Sequence, residues 1–218
     1  MFNVNRPVDA PASLQNRRKY DEKDVYTALE EIFFNKCYLC ETKEPHDINV
    51  EHFDPHMGDI EKKFDWNNLY FVCSRCNNIK GDRYNNLVDC CDPHQDVFRA
   101  IKHLPPRTPH AKIDVKAINN NVRSIETEEI LDKIFNSEHT VNKKVSCSFL
   151  RVKIYKQYNF LLDQINVYYS PVSTVADKYQ AVERMKVLIN RSAPYSAFIR
   201  WCIIEDSELG PLLQELMD

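Results

Sequence analysis

The chain has 218 residues, a net charge of −3 and 43% hydrophobic residues, which together are typical of a globular protein that can bury a core. Only three glycines occur, Gly58, Gly81 and Gly210, and this scarcity excludes the glycine-rich turns of P-loop and dinucleotide-binding proteins. There is no apolar run of about eighteen residues and no apolar amino-terminal segment of signal-peptide length. The sequence therefore predicts a cytoplasmic protein whose eight cysteines are metal ligands and buried thiols rather than disulfides.

The first twenty residues mix prolines, asparagines and basic residues, a composition that predicts an extended arm with little structure of its own. Such an arm either packs loosely on the domain or binds a partner. A short amphipathic helix follows, beginning at Asp21 or Asp24 and continuing as far as Phe33 with apolar residues at i, i+3, i+4 and i+7. We expect this helix to support the cysteine turn that comes next.

Four cysteines form two CxxC pairs, and they are the strongest signal in the sequence. They are Cys37, Cys40, Cys73 and Cys76. Each CxxC turn presents two sulfur atoms on one side of a tight bend, so that two pairs supply the four thiolates of a tetrahedral zinc site. Four protein ligands leave no open position, which predicts a structural zinc ion. A redox role for one pair is disfavoured because no βαβ pattern surrounds it.

The residues between and after these pairs predict two strands and a helix. Residues 47–53 alternate apolar and polar side chains, as a half-buried strand does, and Pro55 interrupts the pattern. A loop leads to a second, apolar strand at 69–72. The helix runs from Cys76 to about Asn85. The predicted order is strand, loop, strand, helix.

The rest of the chain predicts irregular structure followed by helices. Residues 89–121 contain several prolines and predict one or two short strands. Helices with apolar stripes follow from Thr127, a predicted N-cap, to Leu216. The predicted fold class is α+β, with a small ββα core and a mainly α-helical carboxyl-terminal region. We divide the chain into an arm (1–20), a domain that holds the zinc site (21–123) and a helical region (124–218).

The charge distribution changes immediately after the second cysteine pair. Residues 1–79 carry 10 Lys or Arg against 14 Asp or Glu, a local charge of −4, whereas residues 80–123 carry 8 against 5, a local +3. The basic excess begins at Lys80. It predicts phosphate contacts by Lys80 and Arg83, although a solvated helix face explains it equally well.

The residues in and around the cysteine pairs also follow a specific order. They run Cys37, Cys40, Glu51-His52-Phe53-x-Pro55, Asn68-Leu69, Cys73-x2-Cys76-Asn77 and Lys80-Gly81. In this order and near this spacing, the segment resembles the HNH endonuclease family over about a fifth of the chain. The resemblance implies a ββα-metal fold, and it makes residues 21–123 a nuclease domain.

The resemblance implies a role for each residue of the site. His52 would be the general base that takes a proton from the attacking water, since an imidazole titrates close to working pH. Glu51 and Asn77 would hold a divalent ion, Mg²⁺ or Mn²⁺, through oxygen atoms. Asn68 would aim the histidine by tying back the loop before the second strand, with Asn67 as the alternative for this position.

Two residues depart from the family's common pattern. Glu51 stands where the family usually has Asp, and Asn77 stands where it has the final His, so the motif is an H-N-N variant. Both keep oxygen or nitrogen donors, which leaves the preferred metal open. His46 and His56 are close enough in sequence to be additional ligands, although exposed loop histidines are the commoner case.

Four segments make the wider chain similar to one branch of this family. They are EHFDP (51–55), DWNNL (65–69), LDKIFNSEHT (131–140) and RSAPYSAFIRW (191–201). The branch is the Septu-type anti-phage nuclease subunit, PtuB, including its retron-associated copies. This similarity implies an SMC/ABC-like ATPase partner of the PtuA type, a docking role for the helical region, and a substrate that is DNA or RNA, such as tRNA.

Two other interpretations of the cysteines stay open. The four paired cysteines could support a non-catalytic module that binds nucleic acid or protein, a module that would not need Glu51-His52 or Asn77. Cys90 and Cys91 could form a second metal site with His94, although small buried cysteines are common in cores. The leading hypothesis is a metal-dependent endonuclease.

Overall fold

A computed structural model describes residues 1–138 and 146–217. The strands are β1 (Ile48–His52), β2 (Leu69–Cys73), β3 (Ile101–Leu104) and β4 (Asp114–Ala117). The helices are α1 (Lys23–Ile32), α2 (Ile60–Phe64), α3 (Ser74–Lys80), α4 (Val97–Ala100), α5 (Val122–Asn136), α6 (Cys147–Tyr169), α7 (Val175–Ile189), α8 (Ser196–Ile204) and α9 (Leu209–Leu213). This order confirms the predicted α+β class, in which a ββα unit precedes a mainly helical region.

The ββα unit consists of the antiparallel hairpin β1–β2 and helix α3, which contacts both strands. All five residues of β2 are buried, as expected for an apolar strand that is covered on both faces. The register places Ile48 opposite Cys73 and His52 opposite Leu69. The second cysteine pair therefore lies at one end of the hairpin, and His52 lies at the other, about 13 Å away at 3.3 Å per residue.

Helices α2 and α3 differ from the sequence predictions. Helix α2 occupies part of the predicted loop, and it begins where the Asp59 side chain accepts hydrogen bonds from the backbone N–H groups of Glu61 and Lys62. Helix α3 ends at Lys80 rather than near Asn85. The following residue, Gly81, has φ 53°, a conformation that glycine adopts readily and that stops the helix.

The N-cap of α5 is Asn121, and the prediction that Thr127 forms this cap was wrong. The Asn121 side chain accepts a hydrogen bond from the Arg123 N–H. Thr127 lies inside the helix, where its hydroxyl donates to the Arg123 carbonyl at 2.7 Å and accepts from the Val88 N–H at 2.9 Å. Its side chain therefore joins α5 to the preceding loop instead of starting the helix.

The first residues of the chain pack into the core. Met1, Phe2, Val4 and Leu14 are buried in the same apolar cluster as the β1–β2 hairpin and α5. Arg6 donates hydrogen bonds to the backbone carbonyls of Trp66 at 2.7 Å and Leu69 at 2.8 Å. These two residues flank Asn67 and Asn68. Packing on the domain, one of the two alternatives for the arm, is thus what the structure shows for these residues.

One buried cluster includes residues from all three predicted regions, and the predicted domain boundaries stay predictions. A second cluster lies among α6, α7, α8 and α9. The antiparallel hairpin β3–β4 confirms the expected strands within 89–121 and contacts α5 and α8.

The segment LDKIFNSEHT ends α5, and its last two residues, His139 and Thr140, lie outside the described residues. In the part of the chain that the structure describes, no helix has the length and apolar character needed to cross a membrane.

Candidate active site and zinc centre

The four predicted zinc ligands lie together in the interior. All are buried, and their sulfur atoms lie within 4.8 Å of one another: Cys37, Cys40, Cys73 and Cys76. The sulfurs of Cys40 and Cys73 are 3.8 Å apart. A tetrahedral ion with Zn–S bonds of about 2.3 Å separates its sulfurs by about 3.8 Å. The donor set and its spacing therefore fit a structural zinc ion.

Local backbone geometry brings the cysteines to this point. The Cys37 N–H donates to the Thr42 carbonyl at 3.0 Å, and the Glu41 N–H donates to the Cys37 carbonyl at 2.9 Å, which closes the first CxxC turn. Cys73 is the last residue of β2, and Cys76 lies in the first turn of α3. The hairpin thus delivers the second pair of sulfurs to the first.

A buried ionic cluster lies behind the first cysteine turn. The Glu41 carboxylate lies 3.1 Å from the Lys36 ammonium and 3.0 Å from the Met1 amino group, and it accepts a hydrogen bond from the Ser196 hydroxyl. Burial lowers the pKa of Lys36 to about 8, although the Glu41 carboxylate opposes this effect. The cluster connects the zinc turn to the start of α8.

His52, the last residue of β1, has one ring nitrogen occupied and one available. Its Nε2 lies 3.0 Å from the backbone carbonyl oxygen of Lys63. Because a carbonyl oxygen only accepts, Nε2 carries the proton and Nδ1 keeps its lone pair. Burial lowers the pKa of His52, and the neighbouring His56, Lys63 and Lys80 lower it further, against the effect of the carbonyl. The ring is therefore neutral at pH 7, with Nδ1 able to accept a proton.

The histidine faces a pocket of about 410 Å³. The polar and aromatic residues that line it include Tyr20, Glu51, His52, His56, Asn77 and Asp82. Tyr20 and His56 both contact the His52 ring edge-on, with ring centroids 4.6 and 4.7 Å away. These contacts restrict the orientation of the imidazole.

Glu51 precedes His52 and is buried against two partners. The Tyr38 hydroxyl donates to Glu51 Oε1, and the Lys80 ammonium lies 3.9 Å from the same oxygen. Burial raises the pKa of Glu51 to about 7, although Lys80 and Tyr38 act in the opposite direction.

Glu51 and Asn77 line the same pocket, so that the structure brings together the two residues predicted to bind the divalent ion. In the described residues, Glu51 and His52 belong to no cluster of three or more His, Cys, Asp or Glu ligand atoms. One carboxylate and one amide fit an ion that keeps most of its positions for water and phosphate, as Mg²⁺ and Mn²⁺ do.

Asn68, and not Asn67, has the contacts expected of the central asparagine. Its Oδ1 accepts from the Asp54 N–H at 2.7 Å, and its Nδ2 donates to the carbonyls of Asp54 at 2.8 Å and Lys62 at 3.1 Å. Asn68 is buried, whereas Asn67 is exposed. The buried side chain therefore holds helix α2, which carries the Lys63 carbonyl, and with it the ring of His52.

Residues 37–83 match the family model described as HNH endonuclease. The match includes both cysteine pairs and every residue of the candidate site except Tyr20. It indicates a metal-dependent nuclease that acts on nucleic acid. The comparison with curated proteins gives no match.

We call residues 37–83 the HNH segment. Lys80 lies inside this segment and does not have the predicted access to phosphate. It is 1% exposed, and its ammonium donates to the His52 carbonyl at 3.0 Å while facing Glu51. The predicted phosphate contact conflicts with this burial, and the side chain holds the end of β1 instead. Arg83, three residues further on, is exposed and stays the predicted phosphate contact.

Sequence reasoning missed several residues of the HNH segment and its surroundings. Tyr38, which donates a hydrogen bond to Glu51, is one of the two residues between Cys37 and Cys40. Nothing in the local sequence pattern predicts that it contacts β1. Tyr20 comes from the predicted arm. The Lys63 carbonyl belongs to the short helix α2. Of these residues, only His56 could be predicted from the sequence, because it is close to His52 in the chain. His46, the other histidine considered as a ligand, lies at the opposite end of β1.

Cys90 and Cys91 lie outside the HNH segment and form a cluster with Asp89, not with the predicted His94. Arg6 donates to the Cys91 sulfur at 3.2 Å, and the Tyr70 hydroxyl donates to Asp89. A guanidinium beside the thiol already supplies the positive charge that a metal ion would bring. The structure therefore gives no support to His94 as a ligand, and a second metal ion at Asp89, Cys90 and Cys91 stays an open alternative.

Proposed function

We propose that this chain is a metal-dependent HNH endonuclease that hydrolyses phosphodiester bonds in DNA or RNA. The observation that carries the proposal is the available Nδ1 of His52 in a pocket that also contains Glu51 and Asn77. A zinc-stabilised binding module would need the cysteines but not this combination of side chains.

In the proposed reaction, His52 takes a proton from the attacking water through Nδ1. The Lys63 carbonyl holds the correct tautomer, and Asn68 holds helix α2, which carries this carbonyl. General-base catalysis of this kind contributes about 10²- to 10⁴-fold to the rate. Arg83 is exposed and follows Asp82, which lines the pocket, and it would contact a phosphate of the substrate with its guanidinium.

Glu51 and Asn77 would hold Mg²⁺ or Mn²⁺. When bound, such an ion polarises the scissile phosphate and stabilises the leaving O3′ oxygen, which favours products with 5′-phosphate ends. Tyr38 and Lys80 orient the Glu51 carboxylate from inside the protein. The four cysteines, with zinc, would fix the far end of the same hairpin.

We also propose that the chain acts in anti-phage defence as the nuclease subunit of a complex with an SMC/ABC-like, PtuA-type ATPase. The support is the similarity of four segments to Septu-type nucleases. The helical region has apolar side chains on its surface, among them Val172, Val175 and Tyr179 at the start of α7. Exposed apolar residues that are close in sequence and space are a common feature of docking surfaces.

The experiment that tests the nuclease is a cleavage assay with controlled metal content. The chain, alone and with its co-purified ATPase, is incubated with single-stranded DNA, duplex DNA and tRNA. We expect mild chelation to stop cleavage, added Mg²⁺ or Mn²⁺ to restore it, and the zinc content to stay constant throughout. Cleavage that persists unchanged under chelation would contradict the metal site, and binding without cleavage of any substrate would favour the binding module.

A further inference from the structure

A second concave surface lies at the opposite end of β1 from His52. It is a groove of about 830 Å³. One wall is the loop 42–47, which follows the first cysteine turn and leads into β1, and the other wall is helix α6. Residues of the first turn of α3, Ser74 and Arg75, lie between these walls. We call this surface the α6 groove.

The face of α6 that lines the groove has an aromatic side chain at each end and two lysines between them. Its members follow i, i+4, i+7, i+8 and i+11 spacing, which places them on one side of a helix. They are Phe149, Lys153, Lys156, Gln157 and Phe160. Phe149 is 38% exposed and Phe160 is 57% exposed, although both are large apolar residues. The Lys153 ammonium lies 5.2 Å from the centroid of the Phe149 ring.

The charge of the groove is positive. Three exposed lysines line it, Lys43, Lys153 and Lys156, against the two carboxylates of Glu44 and Asp47. Among the ion pairs of the described residues, none includes Lys43, Lys153 or Lys156. Arg75 also lines the groove, but it is buried and its guanidinium donates to the carbonyls of Ile134 and Ser137. The charge available to attract an anionic ligand is therefore that of the three lysines.

Lysines between two exposed aromatic rings suit one class of ligand in particular. In unpaired nucleic acid, each base offers a flat face that stacks on an aromatic side chain, while the backbone phosphates contact basic groups. A duplex keeps its bases stacked on one another, so that they cannot reach the rings. An acidic protein segment would satisfy the lysines but would not use the faces of Phe149 and Phe160 in this way.

We propose that the α6 groove binds an unpaired stretch of the nucleic-acid substrate, next to the stretch that is cut at His52. This inference rests on the proposed nuclease function and narrows its substrate to nucleic acids with a single-stranded segment. The groove and the histidine lie at the two ends of β1, about 16 Å apart at 3.3 Å per residue from Asp47 to His52. A single strand could span that distance and be held at both places.

Binding is measured by fluorescence anisotropy with the full chain carrying His52→Ala, which prevents cleavage of the probe. The probes are labelled single-stranded DNA, single-stranded RNA and a blunt DNA duplex. The groove variants are Phe160→Ala and the double change Lys153→Ala with Lys156→Ala. Their matched controls are Leu212→Ala, an exposed apolar residue on α9, and Lys112→Ala with Lys116→Ala, two exposed lysines near β4.

We expect Phe160→Ala to weaken single-strand binding by about 5- to 100-fold, the effect of one lost base stack, and to leave duplex binding unchanged. The lysine pair should lower the slope of log affinity against log salt by about 1.4, because each phosphate contact on a single strand contributes about 0.7. The control variants should bind all three probes as the parent does.

Single-strand affinity that is unchanged in both groove variants, or reduced equally by the controls, would overturn the proposal. The first of these results is also what a groove occupied by an acidic protein segment would give. The readout is independent of the proposed catalysis, because the anisotropy needs no cleavage. A failure of the nuclease would appear instead as equal cleavage by the chains with and without His52.

Discussion

The Nε2 atom of His52 lies 3.0 Å from the backbone carbonyl oxygen of Lys63. This one contact decides which ring nitrogen carries the proton, and it makes the orientation of the proposed base depend on the short helix α2. Asn68 holds the neighbouring carbonyl, that of Lys62. The geometry of the site therefore depends on residues that do not touch the substrate.

Asn68→Ala should uncouple the loop from the histidine. The change removes three hydrogen bonds of a buried side chain, which should lower the free energy of unfolding by about 1–3 kcal/mol. A misplaced His52 should lower kcat by about 10²-fold with little change in KM. Cleavage kinetics and thermal unfolding measure the two effects. The matched control is Asn67→Ala, at an exposed neighbour, and a wild-type kcat in Asn68→Ala would show that the loop does not aim the base.

Cys40→Ser should remove the zinc ion and destabilise the fold. Four buried thiolates close the coordination shell, so that we expect one zinc ion per chain, retained under mild chelation. The serine variant should lose the ion and unfold at a lower temperature. Metal analysis by mass spectrometry and thermal unfolding give the result. Cys202→Ser, outside the cluster, should keep both properties, and a Cys40→Ser chain with full zinc content would argue against the site.

Lys80 and Arg83 should give opposite results, although both were predicted to contact phosphate. Lys80→Met leaves the His52 carbonyl without its donor and Glu51 without its cation, which should cost about 1–3 kcal/mol of stability. Arg83→Ala, at an exposed position, should change stability by less than about 0.5 kcal/mol and raise KM for nucleic acid. Chemical denaturation and cleavage kinetics separate the two. If Lys80→Met kept its stability and only weakened substrate binding, the ammonium would have to reach the substrate after all.

His103 should make stability depend on pH below neutrality. Burial, assisted by the Met1 amino group, lowers the pKa of His103 to about 3, whereas an imidazole in an unfolded chain titrates near pH 6.5. Below about pH 6.5 the unfolded state therefore binds the proton first. The contribution of His103 to the free energy of unfolding should be constant above that pH and fall below it by up to about 1.4 kcal/mol per pH unit, whereas Glu51, whose pKa is raised to about 7, acts in the opposite direction.

Chemical denaturation between neutral and mildly acidic pH measures this slope. His103→Gln keeps a polar side chain without an imidazole, and it should remove this contribution, which is read as the difference between the slopes of the wild type and the variant. His110→Ala, at an exposed histidine, should not change it. Equal slopes in the wild type and in His103→Gln would mean that another group titrates in this range.

Local sequence patterns were sufficient to predict the ββα unit. The spacing of the CxxC pairs and the alternation of residues 47–53 are properties of neighbouring residues, and both describe what the structure contains. The same applies to the long helices α6 and α7, whose apolar stripes repeat over many turns. The position of Asn68 needed the structure, because Asn67 and Asn68 differ only in which of them is buried.

The features that sequence did not predict depend on contacts between distant residues. The local sequence predicts Lys80 to be an exposed cation on a helix. Its side chain is buried because α3 packs on β1 and places the ammonium beside Glu51. Thr127 and Asn121 are both residue types that often form N-caps. The Thr127 hydroxyl instead accepts a hydrogen bond from the Val88 N–H, and Asn121 forms the cap. Met1, Phe2 and Val4 form no periodic pattern, so nothing local indicated that they enter the core.

The replacement of His52 by alanine tests the central claim most directly. Wild type, His52→Ala and the control His110→Ala are compared on DNA and RNA with Mg²⁺ or Mn²⁺, alone and with the proposed ATPase partner. If His52 is the general base, His52→Ala should cleave about 10²- to 10⁴-fold more slowly, with unchanged zinc content and unfolding temperature, while His110→Ala should match the wild type. Equal cleavage by His52→Ala and the wild type would contradict the account.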